Sequence, residues 1–110
     1  MKDDAAHLID ILEAAKLIRG YIQDKTIYDL YADTEKQDAV VRRFEIIGEA
    51  ANRVSMETQN KYPELPWRDM IDMRNILIHD YDDVDLSIVW NTATNDLPTL
   101  ITQIEKIVTR

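Results

Sequence analysis

Val40-Val41-Arg42-Arg43-Phe44-Glu45-Ile46-Ile47-Gly48-Glu49-Ala50-Ala51-Asn52-Arg53-Val54 is the stretch whose periodicity decides the fold. Val40, Phe44, Ile47, Ala51 and Val54 recur at alternating four- and three-residue steps, the signature of a helix with one buried stripe. Gly48 weakens such a helix by about 1 kcal/mol relative to alanine. Its place beside the stripe, with Ala50, therefore points to the close approach of another backbone. Arg42, Arg43, Glu45, Glu49, Asn52 and Arg53 take the polar positions. Glu45 and Glu49 stand one turn apart, as metal ligands can, but no matching histidine or carboxylate pair occurs elsewhere and a structural role is expected. Arg42, Arg43 and Arg53 are candidate phosphate contacts if they face a cleft, and acid-paired surface residues otherwise.

The same period runs outward in both directions. Upstream, Leu8, Ile11 or Leu12, Ala15, Ile18 and Ile22 predict a helix from Asp4 to about Asp24. Asp3 and Asp4 suit its start, Ile9, Leu17 and Tyr21 add a second apolar edge, and His7 is expected on the surface. Thr26 to Asp33 reads as a connection, with Tyr28 and Tyr31 sealing a corner of the bundle. Thr34 carries a weak capping-box pattern at the start of the second helix. Downstream, polar residues and two prolines predict a loop from Glu57 to Pro66. A third helix is expected from Pro66 to Ile78, with Pro66 at its first position, Trp67 as anchor and Met70, Met73 and Leu77 inward. A fourth follows Leu86, Val89, Trp90, Ala93, Leu97, Leu100, Ile104 and Ile107, capped by Asp85. Pro98 should kink it, or divide it with Asp96 as a new cap. The prediction is all-α: an antiparallel four- to five-helix up-down bundle forming one domain over residues 1–110.

Composition narrows the function classes. A chain of 110 residues with 45% hydrophobic content holds one modest core and is not disordered. It has no cysteine, which removes disulfides and thiolate metal sites and suits a reducing cytoplasm. The acidic start lacks an apolar signal core and no run is long enough to cross a bilayer, so a cytoplasmic protein is expected. The net charge of −8 argues against a general nucleic-acid binder and against DNA in particular. An acidic protein that handles RNA must gather its cations in one cleft or receive RNA beside a basic partner.

One stretch carries chemistry: Met73-Arg74-Asn75-Ile76-Leu77-Ile78-His79-Asp80-Tyr81. It sets a guanidinium, an imidazole and a phenol at the end of an apolar helical segment. Arginine is a permanent cation whose fork fits phosphate oxygens, and histidine exchanges protons near neutral pH. At about 100° per residue Arg74 and Tyr81 share a face, while His79 points about 140° away from Arg74. Either the backbone unwinds near His79 or a second copy of the chain supplies the missing group. A helix ending here and two subunits meeting across it is the expected combination. Asp80, Asp82, Asp83 and Asp85 crowd the same end and are expected to be solvated or capping rather than metal-binding.

Arg74, His79 and Tyr81 fit an Arg-x4-His-x-Tyr signature, and the stretch resembles that of HEPN-domain ribonuclease toxins of the HepT-like branch. Asn75 matches the polar residue often found after that arginine. Phe44 to Asn52 looks like the family's second-helix segment, Leu65-Pro66-Trp67-Arg68 like its third-helix entry, and Tyr81 to Trp90 like its fourth-helix approach. The likeness covers most of the chain from Val40 to Leu100. Asp72 departs from it, glycine being more usual there. The resemblance implies a homodimeric helical toxin that cuts RNA without a metal ion or other cofactor. Its partner would be a small nucleotidyltransferase antitoxin that silences it by transferring AMP to Tyr81. Arg74 and His79 would be catalytic and Asn75 supporting.

Two functions compete on these grounds. One is an endoribonuclease in which His79 takes the proton of a ribose 2′-hydroxyl and Arg74 stabilises charge on phosphorus. The other is a non-catalytic helical module that presents an acidic surface to a nucleotidyltransferase and serves as its substrate. The net charge favours the module; the intact triplet of Arg74, His79 and Tyr81 favours the nuclease.

Overall fold

A computed structural model describes residues 3–80 and 83–109. Among these, α1 (Asp4–Ile22), α3 (Thr34–Arg53), α5 (Trp67–His79) and a long final helix form the frame. Two short helices, α2 (Ile27–Tyr31) and α4 (Met56–Lys61), sit in the connections. The final helix runs as α6 (Leu86–Asn91), a π-helical turn (Thr92–Asp96) and α7 (Leu97–Val108). No strand occurs among the described residues, so the all-α bundle stands as read.

Packing follows the apolar stripes. Val40, Phe44, Ile47, Ala51 and Val54 are all buried, as their spacing requires. They meet Leu8, Ile11, Ala15 and Ile18 of α1, Met70 and Leu77 of α5, and Leu100 and Ile104 of α7 in one core. The Asp4 carboxylate accepts from the Ser55 amide at 3.0 Å, the Ser55 hydroxyl at 2.6 Å and the Thr58 hydroxyl at 2.6 Å. The start of α1 is thereby tied to the end of α3, which makes the two antiparallel. Those donors, the Ser55 hydroxyl first, hold the Asp4 carboxyl down from 3.8 to about 2.

Several local expectations need correction. The segment Thr26 to Asp33 is not a plain connection: Thr26 and Asp29 form a reciprocal capping box that starts α2. Tyr28 and Tyr31 seal no corner, being 77% and 51% exposed, because the short helix turns Leu30 inward instead. The predicted loop after Glu57 holds α4, nucleated by Ser55, whose hydroxyl accepts from the Thr58 amide. Asp33, one residue before Thr34, caps α3. His7 is buried, not on the surface. Ile9 and Leu17, the second edge of α1, remain 41% exposed. α1 ends at Ile22, two residues short of Asp24, which has a left-handed backbone (φ 62°). Pro66 is the residue before α5, and Trp67 is its first helical residue, with its indole N–H donating to the Tyr62 carbonyl at 2.9 Å.

The final helix neither breaks at Pro98 nor is capped by Asp96, which keeps helical backbone angles and makes no side-chain cap. The π turn widens the helix just before Pro98, whose missing N–H and ring would strain a regular turn. Arg19 of α1 donates to the Ala93 carbonyl at 3.2 Å, satisfying one carbonyl of that turn. Asp85 caps α6 as expected, accepting from the Ser87 amide and hydroxyl, and these bonds lower its carboxyl pKa. No helix of the described residues is long and apolar enough to cross a membrane.

Candidate active site

Gly48 and Arg74 mark the crossing of α3 and α5. A Cβ added to Gly48 would collide with the Arg74 Cβ and lie 2.9 Å from its Cγ and 2.7 Å from the Met70 carbonyl oxygen. Only a hydrogen fits there, so the glycine lets α5 press its backbone and the Arg74 stem onto α3. This is the close approach that the sequence predicted for Gly48.

The contact fixes the first carbons of Arg74 and buries part of its head. Nε is buried and, among the described residues, has no hydrogen-bond partner. Nη1 donates to the Asn75 side-chain oxygen at 3.1 Å. No acidic side chain pairs with Arg74 among the described residues, in a chain with 21 aspartates and glutamates. Asp72 leaves α5 about 160° round from Arg74 and is exposed, too far round the helix to quench it. A guanidinium held by its stem, partly desolvated and without a carboxylate, has the chemistry to pair with an oxyanion.

α5 stays helical through His79, and the Asp80 amide closes the last turn onto the Ile76 carbonyl at 2.9 Å. The helix does end at this point, but it does not unwind in time to swing His79 toward Arg74. The two side chains leave the helix about 140° apart. Asn75 lies between them, next to Arg74 by its hydrogen bond and one turn from His79 on the same face. His79 is exposed, and Ile76 and Ile78 beside it are 50% and 39% exposed. Tyr81 and Asp82 lie outside the described residues.

The other candidate cations divide. Arg42 faces Glu49 at 3.3 Å and Glu45 at 3.6 Å, so it is acid-paired, and the two glutamates serve that pairing. Among the described residues no three His, Asp or Glu side chains converge as metal ligands. Arg43 is partly buried and Arg53 exposed. Sequence reasoning missed the unpartnered Nε, since its burial depends on tertiary packing; the glycine opposite the Arg74 stem was its only legible trace.

The chain is similar to known proteins over most of its length. A family model described as ribonuclease HepT-like matches residues 11–107. A Methanocaldococcus jannaschii protein named as a gamma-glutamylcyclotransferase and candidate RNase is 44% identical over 96% of this chain. The chain spans only 48% of that protein's length. A second candidate RNase of the same organism is 39% identical over 97% of the chain and 88% of its own length. A protein of Thermococcus cleftensis named a probable ribonuclease HepT is 40% identical over 92% of each chain. No solved structure matches it.

Proposed function

Because the chain belongs to the HepT-like ribonuclease family, we propose that it is a cytoplasmic endoribonuclease toxin that works as a homodimer without a metal ion. The observation that carries the reading is Arg74: a stem locked on Gly48, a buried Nε with no partner and no carboxylate neighbour. In an acid-rich chain, such a cation suits an anionic substrate better than a structural ion pair.

The chemistry needs no group beyond the side chains. One His79 accepts the proton of a ribose 2′-hydroxyl, whose oxygen attacks the adjacent phosphorus. The bond to the 5′-oxygen breaks, that oxygen takes a proton from a second His79, and the products are a 2′,3′-cyclic phosphate and a 5′-hydroxyl. Arg74 stabilises the added charge on the phosphoryl oxygens. Asn75 anchors the guanidinium through its oxygen and leaves its amide N–H groups for the phosphate or for His79. Two His79 in one reaction require two protomers, and the 140° divergence of Arg74 and His79 within α5 points the same way. The exposed Ile76 and Ile78 supply apolar area beside His79 for that pairing.

Silencing would come from a small nucleotidyltransferase antitoxin that joins AMP to the Tyr81 hydroxyl, two residues beyond His79. A bulky anion there blocks RNA by charge and volume. The net charge of −8 also suits a second reading, a non-catalytic module that docks on such an enzyme.

One experiment separates the two. Purified protein carrying no AMP is incubated with RNA in EDTA beside Arg74→Ala and His79→Ala variants. Cleavage that persists in EDTA and disappears in both variants supports the nuclease. Absent cleavage, or equal cleavage by the variants, leaves the docking module. Intact mass after mixing with the nucleotidyltransferase and ATP tests the modification, which must vanish in Tyr81→Phe.

A further inference from the structure

A cavity of about 330 Å³ opens between α3, α5 and the final helix, with Asp69, Met70 and Met73 as its α5 lining. Its size falls at the lower end of ligand-binding pockets, enough to take one large apolar side chain. Phe44, Met70, Met73, Leu97 and Leu100 line its apolar floor. The two methionines are unbranched and polarisable, and adapt to varied partners. The π turn forms one wall, so the widened backbone before Pro98 helps shape the opening.

The charge around it has one sign. Glu64, Asp69 and Asp96 line it, and no lysine, arginine or histidine does. Several acids elsewhere are engaged, Glu45 and Glu49 with Arg42, Glu105 with Lys16, and Asp4, Asp29, Asp33 and Asp85 with hydroxyl or amide donors at helix starts. Others, Glu13, Asp38 and Asp72 among them, stand exposed away from any apolar hollow of this kind. Among the described residues, the side chains of Glu64, Asp69 and Asp96 pair with no cation and cap no helix. Three unpaired carboxylates around an apolar hollow repel RNA and attract an apolar group that brings positive charge.

We propose that this cavity is a docking site for a protein partner that inserts an apolar side chain flanked by lysine or arginine. Arg74 is not among the lining residues and points about 100° from Met73, so a side chain seated in the cavity leaves the guanidinium uncovered. The proposal does not depend on RNA cleavage, and its test reads binding alone.

The probe is a fluorescein-labelled helical peptide of leucine and lysine, with a leucine–glutamate peptide and a labelled RNA oligonucleotide as alternatives, followed by anisotropy at physiological salt. The expected result is saturable binding of the lysine peptide only. Asp69→Lys combined with Asp96→Lys weakens it about tenfold, by loss of charge complementarity. Thr99→Trp, at an exposed position on the lining, obstructs the hollow without touching a charge and weakens binding about fivefold. Glu13→Lys combined with Asp38→Lys, exposed and outside the cavity, changes it less than about twofold, as screening of distant charges requires. Circular dichroism confirms that each variant folds. The proposal is overturned by no saturable binding, by an equal effect of the distant reversals, by an unchanged Thr99→Trp variant, or by preference for RNA or the glutamate peptide.

Discussion

The α carbon of Gly48 faces the Arg74 side chain so closely that a methyl group there would overlap the Arg74 Cβ. A helix-weakening residue on α3 therefore sets the placement of the only cation in the chain that is both on the family motif and free of acid partners among the described residues.

Gly48→Ala should destabilise the fold. Alanine gains about 1 kcal/mol of helix propensity, but forcing a methyl into a packed crossing costs about 1–3 kcal/mol, and here one of the obstructing atoms is backbone. The net loss should lower Tm by about 5 °C in a domain of this size. A thermal melt that rises instead would mean that the helices part freely at this point.

Asn75→Asp should harm RNA cleavage more than Asn75→Ala. The alanine variant only releases Nη1, whereas the carboxylate would hold the guanidinium as an ion pair and compete with phosphate. A loss in kcat/KM of about tenfold for alanine and about a hundredfold for aspartate is expected. Steady-state kinetics on a short RNA decide it, and the reverse order would place Asn75 outside the phosphate's reach.

Arg74→Ala and His79→Ala chains, refolded together, should cut RNA better than either alone. A mixed dimer holds one Arg74 and one His79 on different protomers, while each pure variant lacks one group altogether. Activity stays below wild type because one imidazole is missing. If the mixture is as inactive as its components, the two residues do not work across a subunit boundary.

Arg19→Met should cost about 1 kcal/mol, the net worth of one part-buried hydrogen bond, because it leaves the Ala93 carbonyl of the π turn unpaired. Chemical denaturation would show this as a lower midpoint with an unchanged slope. An unchanged midpoint would mean that water replaces the guanidinium at no cost.

Asp4 gives a pH signature. Its folded-state pKa is depressed to about 2 from 3.8, so the stability it contributes is fully present well above 3.8 and lost as pH falls through about 2. Melts of the wild type and Asp4→Asn should differ at pH 5 and converge near pH 2. A gap that persists unchanged to pH 2 would show that the three donors do not stabilise the charged carboxylate.

The frame of this protein was legible because each long helix repeats its buried residues at three- and four-residue steps, and few glycines or prolines interrupt them. The short helices were not, since α2 and α4 bury almost nothing of their own and depend on the caps at Thr26 and Ser55. His7 was misplaced for a related reason: position in a first turn says nothing about which neighbour covers it. The π turn did leave a trace. Val89, Ala93 and Leu97 are spaced by two successive four-residue steps, which in a regular helix drift about 80° off the stripe, yet all three are buried. At the candidate site, the sequence singled out Arg74, Asn75 and His79 as candidates, but the missing carboxylate and the buried Nε come from tertiary packing that no local pattern encodes.

The widened turn at Thr92–Asp96 also bears on how the chain can vary in length. It takes up one surplus residue while keeping Val89 before it and Leu100 and Ile104 after it pointed inward. Deleting a single residue there would leave a regular helix whose two halves still match the core. The same deletion within α3 would turn every later side chain by about 100° and carry Gly48 away from Arg74. Indels should therefore be survivable in the last helix and ruinous in the one that carries the glycine.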